Sequence, residues 1–300
     1  MRKSRTYIVA AALVVAILAA MAFAVGCGGS DTPAADKSSP AAGALEGTAA
    51  ERAATILGHE PAGKAKAVID KGTMTVNNDP NYPPQSSVDQ ATGELVGFDV
   101  DVAKKIGEIL ALPVEFVDYK FENILTDLPQ DRYDVSIGSM TINDVRKKKV
   151  DFTDPYYFAP ASIVVKEGGQ QITGIEDLAG KKVGVGAGTT YLTFLQENTE
   201  AIPVIYDTDA AAFPDLANGE RIDFAFTATP TASEAIKAGQ PFELSGDPIY
   251  YEELGIAIKQ GEADWLALLN HAVQSMHADG SLTDMSLNWY DGVDLTQKAE

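Results

Sequence analysis

Two stretches of this chain follow one plan, and that repetition limits the fold more than any other feature. In the first, Leu128 and a polar turn lead to Asp134, the apolar run through Val135 and Ile137, and then Gly138-Ser139-Met140-Thr141. In the second, Leu216 and Asn218-Gly219 lead to Asp223, Phe224-Ala225-Phe226, and then Thr227 and Thr229. Each reads as a helix end, a tight turn, and a short buried strand opening into a hydroxyl-bearing loop. Similar short strands flank both: Met74-Thr75-Val76, the run 114–117, Ser162-Ile163-Val164-Val165, Val183-Gly184-Val185, Val204-Ile205-Tyr206 and Leu254-Gly255-Ile256-Ala257-Ile258. Helical patterns stand between them, with Val102, Ile106, Ile109 and Leu110 in one and Trp265, Leu268, Leu269, Ala272 and Met276 in the last. Strands alternating with helices imply mostly parallel sheets covered on both faces, and the repeat implies two similar lobes.

In open α/β sheets ligands bind beyond the carboxyl ends of the strands. The loops that carry Asp79 and Tyr82, Phe121, Ser139 to Arg146, Gly188-Thr189-Thr190, and Thr227 with Thr229 all lie at that edge. Two lobes presenting such loops to each other make a cleft. Crossovers between the lobes are expected near 161–165 and 248–254.

The chemistry centres on Arg146. Asn143-Asp144 looks like a helix cap, which places Arg146 in a first turn, where a helix dipole disfavours a cation. Arginine beside free backbone amides and two hydroxyls makes sense if all point at one anion, such as a carboxylate. The plainer alternative is a surface arginine after an ordinary strand-to-helix turn, and Lys147-Lys148-Lys149 beyond it reads as a solvated face. Tyr82 and Phe121 are either ligand-stacking rings or ordinary half-buried aromatics, and Asp79 before Pro80 is either a ligand contact or a turn residue. Gly184-Val185-Gly186-Ala187-Gly188 lacks full dinucleotide spacing and no Walker lysine follows. His59, His271 and His277 have no metal-ligand spacing, and Ser139 has no histidine candidate for a triad, so neither a metal, a cofactor nor hydrolytic catalysis is expected.

Composition places the chain. Its net charge is −20, from 43 acidic against 23 basic residues, while residues 1–64 hold six Lys/Arg against five Asp/Glu. The acidity therefore belongs to the folded part, which argues against nucleic acid as a partner. Arg2, Lys3 and Arg5 precede an apolar run at 7–25, which reads as a secretory leader or a membrane anchor. Ala24-Val25-Gly26-Cys27 resembles a bacterial lipoprotein cleavage site, although its first position is more often Leu. Cys27 is the single cysteine, so lipidation there would leave a fold without disulfides or thiol chemistry. The expected organisation is a lipoprotein signal peptide at 1–26, a flexible tether at 27–64 with a short helix near 49–57, one lobe from 65–163 and 248–300, and a second lobe from 164–247. A lipid anchor would hold the protein on the outer face of the bacterial cytoplasmic membrane.

Over residues 65–292 the chain resembles the type II periplasmic solute-binding proteins for polar amino acids, which include glutamine-, histidine- and lysine/arginine/ornithine-binding proteins. The motifs carrying the resemblance are Gly97-Phe98-Asp99-Val100-Asp101, Asp151-Phe152-Thr153-Asp154-Pro155-Tyr156, Asp177-Leu178-Ala179-Gly180-Lys181 and Gly188-Thr189-Thr190. The resemblance implies a two-lobed α/β fold with a hinge, a monomer, capture of an amino acid or related small carboxylate, and delivery to an ABC transporter permease. It implies that Asp79 reads the ligand's side chain, that Tyr82 and Phe121 sandwich its body, and that Ser139, Thr141 and Arg146 bind its α-carboxylate with help from Thr190. Gly138, Thr189, Tyr191, Thr227 and Thr229 complete the expected ligand-binding set. Two positions depart from the pattern. Ala228 stands where the family usually has an Asp for the α-ammonium, and Tyr191 replaces a smaller or amide-bearing side chain. Either Asp79 supplies that charge or the ligand's amino group is absent, substituted or in water. A cleft enzyme of the cyclohexadienyl dehydratase type, or a ligand sensor, is the alternative function.

Overall fold

The computed structural model describes residues 45–298; the expected leader, Cys27 and the first part of the expected tether lie outside the described residues. Order begins ahead of Ala65. Helix α1 (Ala49–Leu57) opens with a capping box, in which Thr48 Oγ1 accepts from Glu51 N and Glu51 Oε2 accepts from Thr48 N. It buries Ala53, and Arg52 donates to the Glu108 and Ile109 carbonyls at 2.8 and 3.0 Å. The short helix expected in the tether is thus part of the packed body.

Helix α2 (Gly63–Lys71) stops at Gly72, which adopts φ 77°, and strand β1 (Met74–Asn77) follows. Strands β2 (Asn81–Tyr82), β3 (Ser86–Val88) and β4 (Leu95–Val96) form a small antiparallel sheet before α3 (Phe98–Leu110) and β5 (Val114–Val117). A single turn, α4 (Ile124–Asp127), leads to β6 (Val135–Thr141), β7 (Val150–Phe152) and β8 (Tyr157–Lys166). The second series is β9 (Lys182–Gly186), α5 (Thr190–Asn198), β10 (Ile202–Tyr206), α6 (Phe213–Asn218), β11 (Phe224–Ala228) and α7 (Thr229–Lys237). The long strand β12 (Phe242–Lys259) then runs into α8 (Ala263–Asp279) and α9 (Ser281–Trp289).

The main sheet has the order β10-β9-β11-β8-β12-β6-β1-β5, with β7 paired to β12. At its two ends the pairs are parallel: β10/β9 and β9/β11 at one, β6/β1 and β1/β5 at the other. Between them β8 and β12 run antiparallel to each other and to their outer neighbours. Residues 161–165 and 248–254, where the sequence places crossovers, lie within these two strands. The repeated acids do the same work in both parallel ends. Asp134 accepts from Thr75 N on β1, and Asp223 accepts from Lys182 N on β9, both at 2.8 Å, which docks each turn onto the neighbouring strand.

Trp265, Leu268, Leu269, Ala272 and Met276 of α8 are all buried, and Trp265 Nε1 donates to the Asp134 carbonyl at 3.2 Å. The helix expected after Asn143-Asp144, with Arg146 in its first turn, is instead one 3-10 turn, Arg146–Lys148, and Asn143 Oδ1 accepts from Arg146 N at 2.9 Å. The chain cannot continue as a helix because Val150 enters β7 and pairs with Lys259 of β12. No described helix is long and apolar enough to cross a membrane.

Candidate functional site: a charged cavity at the strand ends

A cavity opens where the parallel strands end. Its walls come from the segments after β1 (Asp79, Tyr82), β5 (Phe121), β6 (Thr141, Arg146), β9 (Ala187, Thr189, Thr190) and β10 (Asp207, Thr208, Asp209), with Glu252 of β12 closing one side. Of the expected ligand-binding residues, Asp79, Tyr82, Phe121, Gly138, Ser139, Thr141, Arg146, Thr189, Thr190 and Tyr191 line it. Thr227 and Thr229 do not. The Thr227 hydroxyl, fully buried on β11, donates to Asp209 Oδ2 at 3.3 Å, and Thr229 bonds Ser162 Oγ and the Pro160 carbonyl. Thr227 is the fourth residue of β11, whereas Thr229 already opens α7, and both spend their hydroxyls on neighbouring protein groups. Ala228 lies in the apolar core, 2% exposed, and presents nothing to the cavity.

Arg146 is 5% exposed. Its Nη1 donates to the Thr141 carbonyl and its Nη2 to the Gly188 carbonyl, each at 3.0 Å, so two of five guanidinium donors are used. Its Cζ lies 5.5 Å from the Phe121 ring centroid. Among the described residues it forms no ion pair. Burial pulls its pKa below the ordinary guanidinium value, and the Glu252 carboxylate opposes that shift. Even so lowered, a guanidinium stays charged, and a desolvated charge without a counter-ion is costly. The bland surface-arginine reading therefore fails, and the cavity holds a fixed cation.

Ser139 departs from expectation in detail. It adopts φ 54° and lines the cavity, but its hydroxyl donates to Asp99 Oδ2 at 2.7 Å and accepts from Tyr157 Oη at 2.7 Å. Its N–H goes to Tyr156 Oη, which itself donates to Asp99 Oδ1 at 2.6 Å. Burial pushes the Asp99 carboxyl up to about 7, although the Tyr156 and Ser139 hydroxyls stabilise its anion. Ser139 thus has no proton to spare for a ligand, and its network fixes the floor of the site. Asp79 sits at the rim and is half committed, because Oδ1 accepts both Asn81 N and Asn81 Nδ2.

Two buried acids were missed by sequence reasoning. Glu252, 4% exposed, accepts from Thr141 Oγ1 at 2.7 Å and from Thr190 Oγ1 on one oxygen, and from Tyr191 Oη at 2.6 Å on the other. Asp209, 3% exposed, accepts from Gly186 N at 2.6 Å and from Thr227. Burial pushes the Asp209 carboxyl up to about 7 against the Gly186 N–H, and the Glu252 carboxylate adds to the rise. A signal existed for each. Glu252 shares the alternating face of Leu254, Ile256 and Ile258, and Asp209 follows a strand at its carboxyl end.

Fold and cavity together define the class of a solute-binding protein, with the cavity where two sets of parallel strands end. The chain belongs to the bacterial extracellular solute-binding proteins, family 3, whose model matches residues 74–292. The L-cystine-binding protein TcyJ of Escherichia coli is 34% identical over 238 residues, covering 78% of this chain and 88% of that protein. Among solved structures, an ancestral arginine-binding protein bound to arginine is 35% identical with a TM-score of 0.69, covering 73% of this chain and 98% of the other. An ancestral amino acid-binding protein, a precursor of cyclohexadienyl dehydratase, is 32% identical with a TM-score of 0.70, covering 75% and 98%. The recognised fold class, that of the periplasmic binding proteins, stands as expected.

Proposed function

We propose that this protein captures an amino acid or a closely related small carboxylate and hands it to an ABC transporter permease. The observation that carries the reading is Arg146, a buried guanidinium facing the cavity with donors to spare and the hydroxyls of Thr141 and Thr190 nearby. Such a fork binds a carboxylate bidentately. Tyr82 and Phe121 supply aromatic walls for the ligand's body. The protein works as a monomer outside the cytoplasm, held to the membrane by lipid on Cys27. Its lobes are 65–163 with 248–300, to which α1 and α2 add their packing, and 164–247, joined by β8 and β12. A thermal-shift screen over amino acids and organic acids tests the reading, since ligand at 100 times its dissociation constant stabilises by about 2.7 kcal/mol. A screen in which no carboxylate stabilises the protein overturns it.

A cleft enzyme is the second reading, favoured by Asp209, an acid that burial pushes up to about 7 and that lines the same cavity. Incubation with cyclohexadienyl acids separates the two. Appearance of an aromatic product supports the enzyme, and binding without turnover supports capture.

A further inference from the structure

Of the charged groups lining the cavity, Asp207 pairs with Lys120, while among the described residues Arg146, Glu252, Asp79 and Asp209 form no ion pair. Arg146 has no acid paired to it, and Glu252 has no base paired to it. Glu252 is held only by hydroxyls: Thr141 and Thr190 on one oxygen, Tyr191 on the other. A carboxylate offers about four acceptor sites, so one is open, and the three donors are all groups that can turn and accept instead. Asp209, the other buried acid, is tied to the Gly186 backbone N–H, which cannot turn away. Of the two buried acids, Glu252 is therefore the one free to exchange its partners.

The spacing of the two charges is set by a single residue. Thr141 gives its carbonyl to Arg146 and its hydroxyl to Glu252. The cation and the anion thus flank one residue's length, which suits the two ends of an α-amino acid better than a long diacid or a diamine.

We propose that Glu252 is the residue that reads the ligand's amino group, so that the cavity selects zwitterionic α-amino acids over the matching plain acids. On binding, the ligand's ammonium donates to Glu252 in place of the threonine hydroxyls. Thr141 and Thr190 then turn to the ligand's carboxylate, which Arg146 holds. No bond is made or broken other than hydrogen bonds, and the charges cancel in pairs. The inference rests on the amino-acid reading above and adds the group that discriminates.

The test uses isothermal titration calorimetry on the full-length protein. The twenty common L-amino acids and L-cystine are screened, and the tightest binder is compared with its analogue lacking the α-amino group. Wild-type protein is expected to prefer the amino acid by roughly a hundredfold, as for a buried charge partner. Glu252→Gln is expected to weaken the amino acid by a similar factor while leaving the desamino analogue unchanged or tighter. Equal wild-type affinity for the two compounds overturns the proposal without any variant having to fold. Unchanged or tighter amino-acid binding by folded Glu252→Gln also overturns it, because Glu252 would then be idle or would compete with the ligand's carboxylate. If wild-type protein binds organic acids but no amino acid, the inference falls while carboxylate capture stands; if it binds neither, both fall.

Discussion

At the scale of single residues, the proposed function turns on Arg146. Its burial and its lack of an ion pair mean that a bound carboxylate gains a desolvated partner. Arg146→Ala is expected to weaken ligand binding by about 2–5 kcal/mol, much of it from leaving the ligand's carboxylate unpaired in the cavity. Arg146→Lys should recover part of this, since ammonium cannot form the two-pronged contact and cannot reach both the Thr141 and Gly188 carbonyls at once. Calorimetry on both variants checks the order, and near wild-type affinity in the alanine variant would refute the assignment. Arg146 was legible because it follows a strand and a hydroxyl-bearing loop in sequence. The Ser139 hydroxyl was misread because its partners, Asp99 and Tyr157, come from other elements.

At the scale of elements, the start of α3 is the joint that supports the site. Gly97 adopts φ 140°, and a Cβ there would lie 2.2 Å from the Gln85 carbonyl oxygen. Backbone on backbone cannot yield easily, so Gly97→Ala should lose about 2 kcal/mol or more in urea denaturation. Two residues on, Asp99 couples α3 to β6 and β8 through Ser139, Tyr156 and Tyr157. Its folded pKa, raised to about 7, exceeds the ~3.9 of an unfolded aspartate. Between those values the folded chain holds a proton that the unfolded chain has released, so stability falls as pH rises from about 4 to about 7. Asp209 acts in the same direction. Denaturation midpoints measured at about pH 5 and about pH 7.5 should therefore favour the lower pH in this contribution, and Asp99→Asn should flatten the difference. An unaltered pH slope in that variant would show that Asp99 is not its source.

At the scale of the whole molecule, β8 and β12 are, among the described residues, the strands of the main sheet that join its two parallel ends. Contacts also span the cavity directly: Arg146 reaches the Gly188 carbonyl, Thr141 lies 3.4 Å from Thr190, and Lys120 pairs with Asp207 at 3.1 Å. Exposed pairs like Lys120 with Asp207 contribute little to holding this face together. Hinge closure around a solute is an established motion of periplasmic binding proteins. Small-angle scattering should accordingly show a smaller radius of gyration at saturating ligand than without it. An unchanged radius at saturation would speak against closure.

Sequence alone determined the alternation of strands and helices, the doubled plan around Asp134 and Asp223, the family motifs and most of the cavity's lining. Those features are local: a period of apolar residues, a glycine stop, or a hydroxyl placed just beyond a strand is written in neighbouring positions. Tertiary structure alone decided which charges face each other. Glu252 meets Thr141 across 111 positions and Tyr191 across 61, and Thr227 was turned behind Asp209 by the pairing of β11 with β8 and β9. A side chain's neighbours in space depend on how distant strands pair, and no local pattern records that, so the sequence could place the cation while only the fold could place the anion beside it.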